Sequence, residues 1–329
     1  MITIIYGYFC FVPEASQYFF NQILHSENQW VHADLLYEKE ISLCIKREDQ
    51  IHPEVSGNKF RKLKYNLLEA RKKGFNRVVT FGGAYSNHIL ATAVAANMMG
   101  FQSVGVIRGD ELKNEFEQVI KTNTTLRKAL ETGMELEFIS RDLYRKKMES
   151  DFLDALKSKF GSFYVIPEGG TNDLAVKGCQ EILTNRDSEF NYICSCVGTG
   201  GTFSGLINAS KEHQTILGFP ALKGDFLVDE VKPYIGQKTN WKLITEYHFG
   251  GYAKYNLDLI RFINDFKKNF QIPLDPIYTG KMLYGIFEMI KNDAFEKGSK
   301  ILAIHTGGLQ GIDGFNKRLE RKQQEIRIE

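Results

Sequence analysis

Short apolar runs alternate with longer segments of helical period along the chain from about residue 41. The apolar runs are rich in β-branched residues and are typical of buried strands. They predict strands at 41–45, 78–81, 103–107, 136–139, 163–166, 192–197, 215–219 and 301–304. The periodic segments predict helices at 63–73, 87–99, 115–132, 174–183, 257–269 and 282–297. Because each crossover helix must pack back on its sheet, the alternation predicts an α/β fold of parallel sheets with helices on both faces.

Length and composition agree with a globular chain of about two domains. The 329 residues are 43% hydrophobic and 25% charged, and a domain usually holds roughly 150 residues. Glycine-rich turns cluster near residues 62 and 175 and predict the breaks between domains. We therefore predict a large domain formed by residues 1–62 and 176–329 and a small α/β domain formed by residues 63–175.

Charge and cysteine content exclude several classes of protein. Lys and Arg total 42 against 40 Asp and Glu, a net charge of +2, which is too small for a dedicated nucleic-acid or membrane-surface binder. The five cysteines are too few and too scattered for the disulfide framework of a secreted protein. A signal peptide has a positively charged start before its apolar run. The apolar run at 4–12 has no such start, because the first Lys or Arg of the chain is Lys39. We expect a cytoplasmic protein without nucleic-acid or membrane partners.

The first candidate site is the turn Gly198-Thr199-Gly200-Gly201-Thr202, which follows a predicted strand and precedes an expected helix. Ligands of open α/β sheets bind at such turns. Small residues let several backbone N–H groups converge on one anion, and the start of a helix favours a phosphate. A dinucleotide fingerprint would need glycine where Phe203 stands. The turn therefore favours a single phosphate over a dinucleotide, and the alternative is a tight turn without a ligand.

The second candidate is Lys59, in the segment Ser-Gly-Asn-Lys-Phe-Arg-Lys-Leu at residues 56–63. A lysine held by small neighbours at the start of a helix has its ammonium form destabilised by burial and by the helix dipole. The neutral amine can then form a Schiff base with a carbonyl cofactor. The alternative is an ordinary solvated lysine.

Two further strand ends carry polar side chains. Ser86, Asn87 and His88 follow Gly82-Gly83 at the start of a predicted helix, where they would either cap the helix or receive a substrate carboxylate. Thr306 ends the last strong strand and is followed by two glycines. A Schiff-base lysine, a phosphate cup, an anion-binding turn and a hydroxyl at a strand end together point to pyridoxal 5′-phosphate.

Six motifs in order make the chain recognisable. They are Ser-Gly-Asn-Lys-x-Arg-Lys-Leu at 56–63, Gly-Gly-x-x-Ser-Asn-His at 82–88, Pro-Glu-Gly-Gly-Thr-Asn at 167–172, Gly-Thr-Gly-Gly-Thr at 198–202, Tyr-Thr-Gly-Lys at 278–281 and His-Thr-Gly-Gly at 305–308. The chain resembles the 1-aminocyclopropane-1-carboxylate deaminase and D-cysteine desulfhydrase family over about residues 20–318. The resemblance implies two open, twisted, mostly parallel sheets of the tryptophan synthase β-subunit type (fold type II), with the cofactor in the large domain.

The resemblance also implies roles for the motif residues. Lys59 would bond the cofactor's aldehyde, the turn 198–202 would hold its phosphate, Asn87 would contact the ring hydroxyl and Thr306 the pyridine nitrogen. Ser86, Asn87 and His88 would bind the substrate, and Ser86 would also have a catalytic role. Tyr278 and Tyr252 are similar to two active-site tyrosines of the deaminases, although Tyr252 could equally be a packed aromatic. Members of the fold group are usually homodimers, so the resemblance implies a homodimer that acts on a small amino acid.

Two positions distinguish the branches of the family. Deaminases usually carry glutamate after the tyrosine that matches Tyr278 and leucine at the position of Thr306, whereas this chain has Thr279 and Thr306. The chain therefore resembles the desulfhydrase type, which releases pyruvate, ammonia and sulfide. Tyr85 replaces a frequent glutamine and would place a phenol beside the substrate. The resemblance also places Thr279 among the substrate-binding residues.

Other functions stay open at this point. A cyclopropane deaminase that yields 2-oxobutanoate and ammonia is the nearest alternative. A non-catalytic small-molecule binding protein is a second, although intact Lys59 and Thr306 weigh against it. The seven histidines show no metal-ligand spacing, and Cys194-x-Cys196 has no second cysteine pair, so we expect no metal.

Overall fold

Two β-sheets organise the chain, for which a computed structural model describes residues 26–224, 226–320 and 324–327. The strands are β1 Asn28–Val31, β2 Ser42–Lys46, β3 Arg77–Gly82, β4 Gln102–Arg108, β5 Glu135–Ile139, β6 Tyr164–Ile166, β7 Tyr192–Val197, β8 Thr215–Pro220, β9 Trp241–Leu243 and β10 Lys300–Ile304. The six-stranded large sheet has the order β1-β2-β10-β7-β8-β9, and the four-stranded small sheet has the order β5-β4-β3-β6. Every pair is parallel except β1 with β2. The predicted α/β class with two mostly parallel sheets is confirmed.

Helices connect and cover the strands. They are α1 Asp34–Glu38, α2 Asn58–Lys72, α3 Asn87–Met98, α4 Glu111–Asn114, α5 Phe116–Thr122, α6 Thr124–Glu131, α7 Arg141–Arg145, α8 Ser150–Phe160, α9 Asp173–Gln180, α10 Gly201–Ala209, α11 Leu227–Ile235, α12 Leu257–Phe270, α13 Thr279–Lys291 and α14 Ile312–Leu319. The strand β7 shows why the large sheet needs cover on both faces. Cys194 and Cys196 point into one apolar core, while Ile193 and Val197 point into the other.

All eight predicted strands are present, within two residues at either end. The strands β1 and β9 were not predicted, because β1 is a half-buried antiparallel edge and β9 has only three residues. The predicted helix at 282–297 ends early, at Lys291. Asp293 adopts a left-handed φ of 55°, and the N–H of Ala294 bonds the carbonyl of Met289, which is a Schellman-type helix end.

The predicted helix at 115–132 is broken at Asn123, which is extended with φ −104° and ψ 99°. The Asn123 side chain accepts a hydrogen bond from the N–H of Leu126 at 3.0 Å and so begins α6. Its amide also donates to the carbonyl of Ala84 at 2.9 Å. The break therefore supports the turn between β3 and α3, where Ser86 and Asn87 lie.

The strands of the small sheet come from residues 77–166, and those of the large sheet come from residues 28–46 and 192–304. The domain boundaries proposed from the sequence stay a prediction, as do the homodimer and the cytoplasmic location. The apolar run at 4–12 and Cys10 lie outside the described residues. Within the described ranges, no helix is both long and apolar enough to cross a bilayer. The same ranges contain no group of three His, Cys, Asp or Glu side chains able to hold a metal ion.

Candidate active site

The first turn of α2 meets the carboxyl end of β10. The backbone N–H of Asn58 donates to the carbonyl of Thr306 at 3.3 Å. Gly57, which precedes the helix, has φ 65° and ψ −147°, and a Cβ atom there would lie 2.0 Å from that carbonyl oxygen. Only glycine combines this conformation with so close an approach of two backbones. The glycine of the first motif therefore brings the start of α2 against the strand end that carries Thr306.

A buried ion pair fixes the same helix turn. Arg61 donates from Nε and Nη2 to the two carboxylate oxygens of Glu48 at 3.0 and 2.9 Å. The carbonyl of Glu48 accepts from the N–H of Gly57 at 3.0 Å. A bidentate guanidinium–carboxylate pair gives a defined geometry. Arg61 of the first motif therefore orients α2 and does not face the candidate site.

Two hydrogen bonds connect the Lys59 amine to the glycine-rich turn. Lys59 Nζ donates to Asn58 Oδ1 at 2.8 Å, and Asn58 Nδ2 donates to Thr202 Oγ1 at 2.8 Å. Burial lowers the pKa of Lys59 below its usual range. The structure thus brings together the predicted nucleophilic amine and the predicted phosphate cup, and it favours the neutral form of the amine.

The glycine-rich turn lies at the start of α10, as expected. Gly200 is the residue before the helix and has a left-handed φ of 80°. A Cβ atom on Gly201 would lie 2.9 Å from Thr171 Oγ1 and 3.3 Å from Lys62 Nζ. The absence of side chains leaves the first N–H groups of α10 open to a ligand.

A second lysine, Lys62, reaches the same turn and was not predicted as a site residue. It is 3% exposed. Its Nζ donates to the carbonyl of Gly169 at 2.9 Å, to Thr171 Oγ1 at 2.9 Å and to Thr199 Oγ1 at 3.2 Å. Burial, with the nearby charge of Lys59 as a smaller cause, lowers the pKa of Lys62 to about 7. Lys62 joins the motif at 167–172 to the glycine-rich turn.

Ser86 occupies the residue before α3, but its hydroxyl caps no N–H of that helix. Asn87 begins the helix near the last motif, since a Cβ atom on Gly308 would lie 3.2 Å from Asn87 Nδ2. The simple capping alternative for Ser86 therefore does not hold, and its hydroxyl stays available to a ligand. Because α3 follows the small sheet and Gly308 follows the large one, Asn87 lies where the two sheets face each other.

His88 is buried beneath this turn. Its Nε2 lies 2.7 Å from Thr80 Oγ1, which itself donates to the carbonyl of Ile166 at 2.9 Å. His88 therefore donates from Nε2, and its buried Nδ1 lies 3.4 Å from the position that a Cβ atom on Gly170 would occupy. Burial and the positive charges of Lys59 and Lys62 hold the pKa of His88 well below its usual range. The ring is therefore neutral.

Thr306 and Thr279, the two branch positions, both make internal contacts. Thr306 Oγ1 lies 2.9 Å from the Cys196 thiol, whose pKa burial raises to about 12. Thr279 is fully buried and donates from its hydroxyl to Asp275 Oδ2 at 2.6 Å. Asp275 also accepts from the N–H groups of Ile277, Tyr278 and Thr279 at 2.8–2.9 Å. Asp275 therefore fixes the start of α13 and was not predicted from the sequence.

The two candidate tyrosines meet. The rings of Tyr252 and Tyr278 are edge to face with centroids 6.2 Å apart. A Cβ atom on Gly198 would lie 3.6 Å from the Tyr278 hydroxyl, so this phenol lies beside the glycine-rich turn. Burial raises the pKa of Tyr278 well above its usual range. The phenol of Tyr278 therefore stays protonated at neutral pH.

Tyr85 and Arg108 lie at the outer edge of the anion turn. Tyr85 is 56% exposed. Its ring packs directly against Gly314 of α14, in the space that a Cβ atom on this glycine would need. Arg108 is the last residue of β4, and its Nη2 lies 3.7 Å from where a Cβ atom on Gly83 would be. Its guanidinium also lies 5.6 Å from the centre of the Tyr144 ring. Arg108 adds positive charge beside the turn that is predicted to receive a carboxylate.

Comparison with known proteins decides the family. The sequence pattern of the family described as "Pyridoxal-phosphate dependent enzyme" matches residues 28–307. The chain belongs to the pyridoxal-phosphate dependent enzyme family. A related Arabidopsis thaliana protein, named "Bifunctional D-cysteine desulfhydrase/1-aminocyclopropane-1-carboxylate deaminase, mitochondrial", is 30% identical over 295 residues, which are 82% of this chain and 73% of that protein.

Other relatives agree with this assignment. A "D-cysteine desulfhydrase" of Serratia proteamaculans is 25% identical over 304 residues, which are 84% of this chain and 89% of that protein. The crystal structure of an "ACC deaminase homologue" superposes with a TM-score of 0.76 at 27% identity and covers 94% of this chain and 99% of that chain. The expected fold type and the dependence on pyridoxal phosphate are therefore confirmed.

The residues of the site fit this cofactor. Lys59 and Lys62 are two amines near one glycine-rich turn, and their hydrogen bonds within the described residues go to neutral oxygens alone. The pKa of Lys62 is about 7, and a phosphate in this turn would stabilise its ammonium form, because a buried charge needs an opposite charge beside it. The cofactor's phosphate would be held by Gly198–Thr202 with Lys62, and its aldehyde would bond Lys59. These contacts, like the other assigned contacts, stay predictions.

Proposed function

We propose that this enzyme is of the D-cysteine desulfhydrase type and eliminates the β-substituent of a small D-amino acid. With D-cysteine, one water is consumed, and pyruvate, ammonia and hydrogen sulfide are released. The names of the relatives support the pair of activities to which this reaction belongs. The residues at the branch positions support the choice within the pair.

The choice of a desulfhydrase over a cyclopropane deaminase rests on the lack of a free carboxylate at the branch positions. Thr279 and Thr306 supply hydroxyls, and the nearby carboxylate of Asp275 already accepts four hydrogen bonds from its own turn. A carboxylate beside a pyridine nitrogen would keep that nitrogen protonated and make the ring a stronger electron acceptor. Elimination of a thiolate needs less of this assistance than opening a cyclopropane ring does.

Lys59 is the proposed base. Bound pyridoxal phosphate would withdraw electrons from the α-carbon of the substrate and so acidify its proton. The Lys59 amine would accept this proton at Nζ. Its lowered pKa favours the neutral form that can do so. Asn58 Oδ1 holds Nζ in place at 2.8 Å.

The turn between β3 and α3 is the proposed site of the substrate carboxylate. It offers the uncapped start of α3, the free hydroxyl of Ser86 and the amide of Asn87. Arg108 adds a cation at its edge. His88, which is buried and neutral, supports this turn from below through Thr80.

Tyr278 is the proposed proton donor to the departing sulfur, because its phenol stays protonated and lies beside the glycine-rich turn. We expect Tyr278→Phe to lower kcat about 100-fold, the usual contribution of one positioned acid. Exchange of the α-proton with deuterated water, followed by NMR, should persist in this variant, since Lys59 is intact.

Tyr284→Phe, on the same helix, is the matched control and should change kcat less than about twofold. If Tyr278→Phe retains full sulfide release, the phenol is not the acid. If α-proton exchange is lost along with sulfide release, Tyr278 acts at an earlier step than proposed.

Assays of the purified protein test the function directly. With D-cysteine we expect sulfide and pyruvate in equal amounts, and with 1-aminocyclopropane-1-carboxylate little 2-oxobutanoate. A higher kcat/KM for the cyclopropane acid would overturn the choice of branch. If the protein binds either amino acid without product, the non-catalytic binding protein becomes the better explanation.

A further inference from the structure

The segment that carries Tyr252 has an unfavourable backbone. Residues 249–253 lie between β9 and α12, outside any helix or strand. Phe249 and Ala253 have left-handed φ values of 54°, and Gly250 and Gly251 have φ values of 89° and 116°. Non-glycine residues avoid this region because Cβ crowds the backbone. Such a conformation persists only where the surroundings impose it.

A buried lysine, Lys281, holds this segment. It lies in the first turn of α13 and is 2% exposed. Its Nζ donates to the carbonyl of His248 at 2.9 Å and to the carbonyl of Gly251 at 2.8 Å. The same carbonyls accept the N–H groups of Gly251 and Lys254 at 3.0 and 3.1 Å, which close two successive turns. Lys281 thus ties both turns, on either side of Tyr252, to one helix.

The other contacts of the segment with α13 lie upstream of Tyr252. The ring of Tyr247 fills the space above Gly285, and the ring of Phe249 is edge to face with Tyr284 at 5.0 Å. Tyr252 itself is 50% exposed and touches the ring of Tyr278 at one edge. Apolar packing therefore holds both ends of the segment, since Ala253 and Tyr255 also pack against the core of the large sheet. The Lys281 hydrogen bond to Gly251 holds the turn between these ends, where Tyr252 lies.

Lys281 and Tyr278 lie at the same end of α13, three residues apart. Asp275 fixes that helix end through the N–H groups of residues 277–279. One helix end therefore positions Tyr278 directly and Tyr252 through Lys281. Burial lowers the pKa of Lys281 to about 8, so the ammonium form with its three donors still predominates at pH 7.

We propose that Lys281 is a positioning residue that holds the turns 248–251 and 251–254 so that the ring of Tyr252 lies against the ring of Tyr278. This inference rests on the proposed function insofar as the tyrosine pair takes part in the reaction. Lys281 touches neither substrate nor cofactor in this account. Lys281 affects turnover only by positioning Tyr252. Loss of Lys281 should therefore change the segment around Tyr252 alone, whereas loss of general stability would change the whole fold.

The test uses Lys281→Met, which keeps the length and apolar stem of the side chain and removes the ammonium. Amide hydrogen exchange of the peptide covering residues 247–255 is measured by mass spectrometry in the full-length holoenzyme. We expect exchange there to be about 10-fold faster or more, with peptides of β3, β7 and α2 unchanged. Lys254→Met, an exposed lysine in the same segment, is the matched control and should leave exchange as in the parent protein.

A double-mutant cycle with Tyr252→Phe tests whether the effect passes through the phenol. We expect Lys281→Met alone to lower kcat about 10-fold and to lower it less than twofold further in the Tyr252→Phe background. Full additivity, or unchanged exchange at 247–255, would overturn the proposal. If Lys281→Met does not fold, Lys281→Gln retains two N–H donors, and we expect a smaller change in both readouts.

The exchange measurement needs no substrate, so it separates this inference from the proposed function. If the parent protein turns over neither D-cysteine nor the cyclopropane acid, the proposed function fails on that result alone. Faster exchange confined to residues 247–255 in Lys281→Met would then still support the anchoring of Tyr252. Exchange that rises equally throughout the chain would show a general structural role and contradict the proposal.

Discussion

Replacing Lys59 with alanine is expected to lower turnover about 10⁴-fold or more, because one change removes both the amine that bonds the cofactor and the proposed base. The purified variant should also lose the yellow colour of the bound cofactor. The fold should persist, since Lys59 makes its one described side-chain hydrogen bond with its neighbour Asn58. Absorbance spectra and the assay for sulfide and pyruvate measure both effects.

Lys64→Ala is the matched control, because Lys64 lies on the same helix and pairs with Glu181 at 2.7 Å on the outer face. It should retain the colour and activity within about twofold, as expected for a partly exposed ion pair. A yellow and active Lys59→Ala protein would show that another amine performs the reaction.

Replacing Gly57 with alanine is expected to have the second largest effect. The added Cβ would lie 2.0 Å from the carbonyl oxygen of Thr306 and 2.8 Å from the nitrogen of Gly307. Neither backbone atom can move without shifting β10 or the first turn of α2. We expect a loss of about 3 kcal/mol or more in the free energy of unfolding. In protein that still folds, displacement of Lys59 should lower kcat/KM about 100-fold or more.

Gly74→Ala is the control that separates the effect of the close backbone contact at Gly57 from the effect of its left-handed conformation. Gly74 ends the same helix with φ 76°, but a Cβ atom there has no neighbour within 4 Å. Alanine at this position should cost only about 1 kcal/mol, from the left-handed backbone alone. Denaturant unfolding and kcat/KM of both variants make the comparison. Equal effects at the two positions would contradict the close contact between α2 and β10.

Strands and site residues could be predicted from the sequence where the pattern of neighbouring residues determines the structure. The continuous apolar runs of β3, β4, β7 and β10 are typical of strands buried on both faces, so they could be predicted without knowledge of their neighbours. The glycine-rich turn and Lys59 were predicted from small residues at a strand end and at a helix start. The structure then brought these two features together through Asn58 and Thr202.

Contacts between distant parts of the chain could not be predicted in this way. Lys62 was overlooked because its partners are 107 to 137 residues away. Lys281 was overlooked because it bonds backbone carbonyls, which leave no signature in the sequence. The predicted helix that began at 63 begins at Asn58, since the polar first turn faces the site and lacks apolar periodicity.

Thr279 shows the limit of transferring a role from relatives. It was predicted to bind the substrate, yet its hydroxyl donates to Asp275 and it is fully buried. A carboxylate at this position would lie against that of Asp275 and would have to displace the hydrogen bonds that begin α13. The assignment of Thr279 to the substrate therefore stays a prediction. The contact that the structure shows for its hydroxyl is the hydrogen bond to Asp275.

Reduction of the holoenzyme with borohydride followed by peptide mass spectrometry tests the central claim most directly, because it fixes the cofactor covalently to the amine that holds it. We expect the pyridoxyl label on Lys59 alone, in the tryptic peptide that contains Asn58. A label on Lys62, whose amine also reaches the glycine-rich turn, or no label on either lysine, would contradict the account.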